Sequence, residues 1–460
     1  MAPEIIKQLR DFPAIEELLQ REDFAPLIGV LPRPIAADVI KSTVEHSKQC
    51  LKASSEPILL SALIGQIKER LSQAKRREIC RVINATGIIV HTNLGRAPLS
   101  DSLFNAVRQT VTGYGNIEFD LSAGQRGFRG IACENYLATL AEAESATIVN
   151  NCAAALFLIV NTLANRRKVI ISRGELVQIG GGFRIPDILR RAGARLCEVG
   201  TTNITTLADY EQSLEPAVGM ILKVHKSNFV QAGFTDEVQL KDLVTLARKH
   251  ELPVVNDLGS GLFSQTAGIL GHAEPTVQQS VRTGADLTCF SGDKMLGGVQ
   301  AGLIVGQREF ISRLKKNPLF RTVRVDKIVL AMLEQMLAAY LNDTAPVDIK
   351  LWSLLAVPVS DLYRRGKQIL HELGNPTGVT VEATNAYVGG GSLPESEIPS
   401  AAIVFSPVHK AQQLLTRLRA CPTPIIGRID NDRLFLDLKA VDEQDLPDLI
   451  SAVGSCLAKP

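Results

Sequence analysis

The chain has 460 residues, enough for about three folding units of roughly 150 residues each and for at least one large hydrophobic core. Lys and Arg number 50 against 48 Asp and Glu, a formal net charge of +2, so no global field draws the protein onto nucleic acid or membrane. With 45% hydrophobic, 21% charged and 5% aromatic residues, the composition excludes collagen-like, disordered and disulfide-scaffold classes.

The amino-terminal stretch MAPEIIKQLR carries an acid at Glu4 and no long apolar segment, so no signal peptide is expected there. Apolar runs such as Ala155–Val160 are far shorter than the roughly 20 residues that cross a bilayer, and a soluble, cytoplasmic protein is expected. The first 75 or so residues read as short helices. Pro13 suits a first helical turn with Ile15, Leu18 and Leu19 on one face. Pro34 opens a pattern through Ile35, Val39, Ile40 and Val44, and Pro57 another through Leu60, Ile64, Ile67 and Leu71. No strand-like alternation is visible in this region. The cluster Lys75-Arg76-Arg77 reads as a solvated basic helix end.

From about residue 80 to 330, short β-branched runs alternate with helical patterns: Thr147–Val149, Lys168–Ile171, Leu196–Val199, Met220–Val224, Pro253–Val255, Leu287–Phe290 and Leu303–Val305. Alternation of this kind predicts an α/β domain around a mostly parallel sheet, whose strand ends carry ligand-binding loops. A helix near Val325–Leu341 leads away from it. The remainder mixes helices with strand-like Ala402–Phe405 and Leu434–Leu438. Three domains are expected: a helical one over 1–75, a large α/β domain over 80–335, and a small α+β domain over 336–460.

Within the large domain, Leu287-Thr-Cys-Phe-Ser291-Gly-Asp293-Lys294-Met-Leu-Gly-Gly298 places a lysine three residues beyond a buried strand, in a glycine-rich turn. A Schiff-base lysine needs this: a fixed backbone and an amine projected into a cleft. In Pro253-Val-Val-Asn-Asp257-Leu-Gly-Ser-Gly261 a strand ends in an acid, 37 residues before Lys294. Such a carboxylate can keep a pyridine nitrogen protonated, and it also suits an ordinary turn cap. In Thr147-Ile-Val-Asn150-Asn151-Cys152-Ala153-Ala154 a strand passes directly into a helix, whose free N–H groups can hold a phosphate; a simple Asn N-cap fits equally. Phosphate cradle, ring acid and lysine on successive strand ends together point to pyridoxal phosphate. The eight cysteines are scattered with no CxxC pair, so reduced thiols are expected rather than a zinc or disulfide framework. Gly180-Gly-Gly182 and Gly389-Gly-Gly391 suit tight turns, and His91 reads as a structural histidine.

The strings Asn84-Ala-Thr-Gly-Ile-Ile-Val-His91-Thr-Asn-Leu-Gly-Arg96, Ser172-Arg-Gly-Glu-Leu-Val-Gln-Ile-Gly180, Val199-Gly-Thr-Thr-Asn203, Lys223-Val-His225, Ser291-Gly-Asp-Lys294 and Ile426-Gly-Arg-Ile429 resemble bacterial selenocysteine synthases, the L-seryl-tRNA(Sec) selenium transferases. The likeness runs from about residue 10 to the carboxyl end. It implies a fold-type-I pyridoxal phosphate enzyme that forms rings, a pentamer of dimers. It also implies conversion of seryl-tRNA(Sec) to selenocysteinyl-tRNA(Sec) with selenophosphate. By motif, Lys294 would carry the cofactor and Asp257 would partner its ring nitrogen. Asn151, Cys152, Ala153, Ala154 and Ser291 would surround its phosphate, and His225 and Asn228 would lie near its ring. Arg96, Arg321 and Arg324 would bind the selenium donor; Asp293, Thr201 and Thr202 match further positions of importance. The amino-terminal helices would grip tRNA. Departures from the family pattern stand at Val299, Ile204, Cys152, Gln178, Lys226 and Phe229-Val230. The alternatives are a related lyase acting on a small phosphorylated amino acid or sugar acid, for which an amino-terminal extension has no evident use, and a tRNA-binding protein without catalysis.

Overall fold

The computed structural model describes residues 5–54, 56–179, 182–226, 229–264, 268–270, 274–389 and 397–458. The chain divides into two compact units, one ending at Arg81 and the other starting at Val82.

The first unit is built on helices α1 (Arg33–Ser54) and α2 (Leu60–Arg76). Ala36, Ile40, Val44 and Leu51 line one face of α1, and Leu63, Ile67 and Leu71 recur at helical spacing on α2. With Leu18 and Phe24 they form a core of their own. The pattern expected from Pro57 begins as a helix only at Leu60; Ile58–Leu59 are extended and pair antiparallel with Ile5–Ile6. Apolar pairs this short show no alternation, which is why the sequence concealed the ladder. In the basic cluster, Lys75 pairs with Glu78 and Arg76 lies 3.9 Å from Glu69, as a solvated helix end should.

The second unit contains a seven-stranded sheet of β1 (Ser145–Val149), β2 (Lys168–Ser172), β3 (Arg195–Val199), β4 (Val218–Val224), β5 (Val254–Gly259), β6 (Leu287–Ser291) and β7 (Gly302–Gly306). Their spatial order is β3-β2-β4-β5-β6-β7-β1, parallel except that β7 runs against both its neighbours. Six of the strands contain a run the sequence predicts, and β5 overlaps its run Pro253–Val255 from Val254 on. β6 and β7 are buried at all five positions, as sheet interiors covered on both faces require. One face packs on helix α3 (Ile131–Ala141) and on Phe290, Met295, Leu296 and Trp352; the other packs on helix α4 (Cys152–Ala164). Because side chains alternate along a strand, Leu287 and Cys289 face α4 together with Val255, while Phe290 faces α3.

Helix α5 (Lys327–Leu341) contributes Leu330, Leu333, Met336, Leu337 and Tyr340 to the α3-side core. A second sheet follows: β8 (Val379–Tyr387), β9 (Glu397–Phe405), β10 (Arg428–Asp430) and β11 (Arg433–Asp437), in antiparallel order β8-β9-β11-β10. Helix α6 (Val359–Glu372) covers it through Leu362 and Ile369. Ile83 and Ala85 reach into this core, and Asp437 N–H donates to the Ala85 carbonyl at 2.9 Å. Gly87 sits at φ +83° where a Cβ would lie 3.0 Å from the Asp437 carboxylate, which accounts for glycine in the Asn84–Gly87 motif.

Candidate active site

The carboxyl ends of β1, β4, β5 and β6 fall on one edge of the sheet, and Gly302 at the start of antiparallel β7 joins them, opposite Val149 and Ser291. The lysine turn leaves this edge. Gly292 N–H donates to Ala301 O, Met295 N–H to Ser260 O, and Gly298 N–H to Gly292 O, each at 2.9 Å. Residues 292–298 are thereby tied to both β7 and the β5 loop, leaving Lys294 half-buried between buried Asp293 and Met295. A Cβ on Gly297 would meet Ile349 at 2.5 Å and one on Gly298 would meet Met336 at 2.4 Å, so the double glycine lets the turn settle on the core. Val299 packs half-buried against that core, and the turn's hydrogen bonds are intact beside it.

Asp257 lies one strand away, directly opposite Cys289 in the register. Its side chain is buried, and burial pushes its carboxyl above the ordinary range; the Lys294 ammonium and the thiols of Cys152 and Cys289 pull it back. Cys152 Sγ donates to Asp257 Oδ1 at 3.6 Å. His225, just past β4, donates its backbone N–H to Asp257 O at 2.9 Å. Burial holds its imidazole below the usual histidine range, with Lys223, Lys294 and Lys226 adding to this and Glu237 opposing, so the ring is neutral at pH 7. His225 Nδ1 is buried without a hydrogen-bond partner among the described residues, and Nε2 lies 3.8 Å from Glu274, a carboxyl that burial pushes up to about 7.

Where β1 passes into α4, Asn151 caps the helix: its Oδ1 accepts from Ala154 N–H at 2.8 Å. The N-cap reading of this turn therefore holds, and the first-turn N–H groups with the positive dipole end are of the kind that hold an anion. The backbone can approach so closely because position 302 is glycine, where a Cβ would lie 2.1 Å from Asn151 O. Asn150 N–H donates to Val323 O at 2.9 Å, which docks the segment bearing Arg321 and Arg324 beside this turn.

The three arginines are not alike. Arg96, at φ +66°, is bonded through its N–H to His91 O, and its Nη1 donates to Asp293 Oδ2 at 2.8 Å. A left-handed non-glycine residue costs about 1–3 kcal/mol, so surrounding structure must hold it; the hydrogen bond from Ala97 N–H to Asp293 O ties this loop to the lysine turn. Asp293 is buried and its Oδ1 has no hydrogen-bond partner among the described residues. Arg324 shares Glu118 with Arg126 and Arg129, at 3.1, 2.9 and 2.8 Å. Arg321 is exposed and has no ion-pair partner among the described residues.

Thr201 and Thr202 follow β3, the outermost strand, in an exposed turn closed by Thr201 Oγ1 on Ile204 O at 3.0 Å; three strands separate their strand from β6. Ser291 ends β6, buried. Asn228 lies outside the described residues, as do parts of both glycine triplets. Lys226 pairs with Glu237 at 3.1 Å. His91 bonds through its backbone, while its ring Nδ1 is buried without a hydrogen-bond partner among the described residues. Sequence reading overlooked Cys289, Glu274 and Glu118. Strand alternation, two residues back from Ser291, could have found Cys289; nothing local marks the other two.

An aldehyde-bearing pyridine phosphate fits these residues. Lys294 offers the amine, Asp257 a buried partner for a ring nitrogen, and the α4 start a phosphate seat. Fold and site together define the fold-type-I class of pyridoxal phosphate enzymes. A solved D-glucosaminate-6-phosphate ammonia-lyase shares the fold at a TM-score of 0.59 and 18% identity, covering 83% of this chain and 96% of that one. Residues 82–442 match the L-seryl-tRNA selenium transferase family. An L-seryl-tRNA(Sec) selenium transferase of Geotalea uraniireducens is 41% identical over 97% of this chain and 98% of its own, and one of Aquifex aeolicus 39% identical over 96% of each. The chain belongs to the L-seryl-tRNA selenium transferase family.

Proposed function

We propose that the protein converts serine carried on tRNA(Sec) into selenocysteine, with selenophosphate as donor and pyridoxal phosphate held by Lys294. Family membership supports the reaction. The observation that carries the site is geometric: the Lys294 turn is tied to the β5 loop by the Met295 N–H to Ser260 O bond, and His225 N–H donates to Asp257 O, each at 2.9 Å, on one strand-end edge. When bound, the cofactor supplies an electron sink for the seryl α-carbon. Asp257 would offset its own burial by facing a protonated ring nitrogen, and His225 would lie near that ring. Asn151, Cys152, Ala153, Ala154 and Ser291 hold the cofactor phosphate. Lys294 Nζ would take the α-proton and protonate the departing hydroxyl. Arg96, oriented by Asp293, joins Arg321 and Arg324 in holding the donor's phosphate. Thr201 and Thr202 contact substrate from the β3 end, residues 1–75 grip the tRNA, and the protein works in the cytoplasm as a pentamer of dimers. Among the described residues no helix is long and apolar enough to cross a membrane.

Purified protein should show a visible absorbance band with pyridoxal phosphate, fixed by borohydride and missing in Lys294→Ala. It should form selenocysteinyl-tRNA(Sec) from seryl-tRNA(Sec) and selenophosphate. A band persisting in the variant would remove Lys294 from its role. Turnover of a free phosphorylated amino acid but not of seryl-tRNA(Sec) would favour the lyase reading instead.

A further inference from the structure

Cys152 begins α4, Cys289 lies in the middle of β6 and Asp257 near the end of β5, three elements that meet on one face of the sheet. Their ligand atoms lie within 4.8 Å of one another, the one such group of three among the described residues. We propose that these two thiols and one carboxylate form a binding site for a thiophilic divalent cation of the zinc or cadmium type, which excludes pyridoxal phosphate from Asp257. The competition rests on the cofactor reading above; the cation site does not.

Geometry and donor chemistry carry the inference. With metal–sulfur and metal–oxygen distances of about 2.3 and 2.0 Å, a tetrahedral site has sulfur–oxygen edges of about 3.5 Å. Cys152 Sγ already stands 3.6 Å from Asp257 Oδ1, close to that edge, and with all three ligand atoms within 4.8 Å of one another Cys289 closes the site by a contraction of about 1 Å at most. Two soft sulfurs select zinc-like ions over magnesium or calcium. Cys289 and Asp257 are buried on neighbouring strands of the sheet, whereas Cys152 is half-buried and is the ligand within reach of solvent. Without a cation the thiols donate hydrogen bonds to the carboxylate. Binding replaces both S–H protons with metal–sulfur bonds and releases two protons to solvent, leaving the fourth coordination position for water. A carboxylate bound to the cation cannot also face a ring nitrogen, and the two ligands therefore exclude one another.

The test uses the full chain stripped of cofactor and titrated with cadmium, read by thiolate-to-cadmium ultraviolet absorbance. One saturating step per chain is expected, lost in Cys152→Ser and in Cys289→Ala. It should survive in Cys421→Ala, which disrupts the other close thiol pair, at 3.8 Å from Cys456. Exposed Cys50 and Cys80 give the same background in every variant, and a cooperative thermal transition checks that each is folded. Cofactor-loaded protein should lack the step, and cadmium-loaded protein should fail to develop the visible cofactor band until a chelator is added. A step undiminished in folded Cys152→Ser and Cys289→Ala overturns the site, and equal cadmium affinity with and without cofactor overturns the competition. Wild-type protein that never develops the visible band, even without cadmium, overturns the cofactor reading instead, while the cadmium step still decides the cation site.

Discussion

Burial keeps a proton on a carboxyl above its ordinary range, and Glu274, with one oxygen lacking a hydrogen-bond partner among the described residues, is in that state beside His225. Its carboxyl titrates at about 7 when folded against an ordinary 4.5. Between those values the unfolded chain gives up the proton and the folded chain retains it, so stability is full below pH 4.5 and falls as pH rises toward 7. The loss is at most about 3 kcal/mol. Glu274→Gln should flatten this pH dependence of the thermal midpoint; an unchanged slope would show that the carboxyl is ionised in the folded protein. Arg324 poses a different question because Glu118 already neutralises it in part. An anionic donor must compete with that carboxylate, so Arg324→Ala should raise the KM for selenophosphate by roughly tenfold to a hundredfold, the 1.5–3 kcal/mol of a charge-assisted contact. The cofactor band should stay; its loss would assign Arg324 to the fold instead.

At the level of elements, the site depends on how closely β7 passes the β1–α4 turn. Position 302 lacks a Cβ, and the Asn151 carbonyl fills the space one would need. Gly302→Ala should therefore push β7 from the turn that seats the phosphate, costing about 1–3 kcal/mol in denaturant midpoint and weakening cofactor affinity. Native stability with unchanged affinity would mean the turn relaxes without disturbing the seat. The same elements explain what the sequence discloses. Continuous apolar runs such as Leu287–Phe290 announce strands because both faces are covered, and Lys294 and Asp257 are legible because each follows such a run. β8 was not legible: only Val379 and Ala386 are fully buried in it, so neither a continuous apolar run nor a clear alternation is present. Cys289 became visible only through the register that sets it against Asp257. The meeting of Arg324 with Glu118, 206 residues apart, has no local signature at all.

At the scale of the whole molecule, the two units differ in what their cores require. The buried apolar residues of the first unit, from Ile6 to Leu71, pack among themselves, and the sheet cores of the second draw on residues from Ile83 onward. Removing residues 1–81 should consequently leave a folded protein with its cofactor site intact. If the helical unit grips tRNA, the truncated protein will still develop the cofactor band while its affinity for tRNA(Sec) falls by at least about a hundredfold, close to 3 kcal/mol. A net charge of +2 supplies little long-range steering, so recognition must come from shape and local phosphate contacts, and full-length affinity should still decline as salt rises. Undiminished tRNA affinity in the truncated protein would move the tRNA-binding surface onto the sheet-bearing unit, and the helical unit would then need another role.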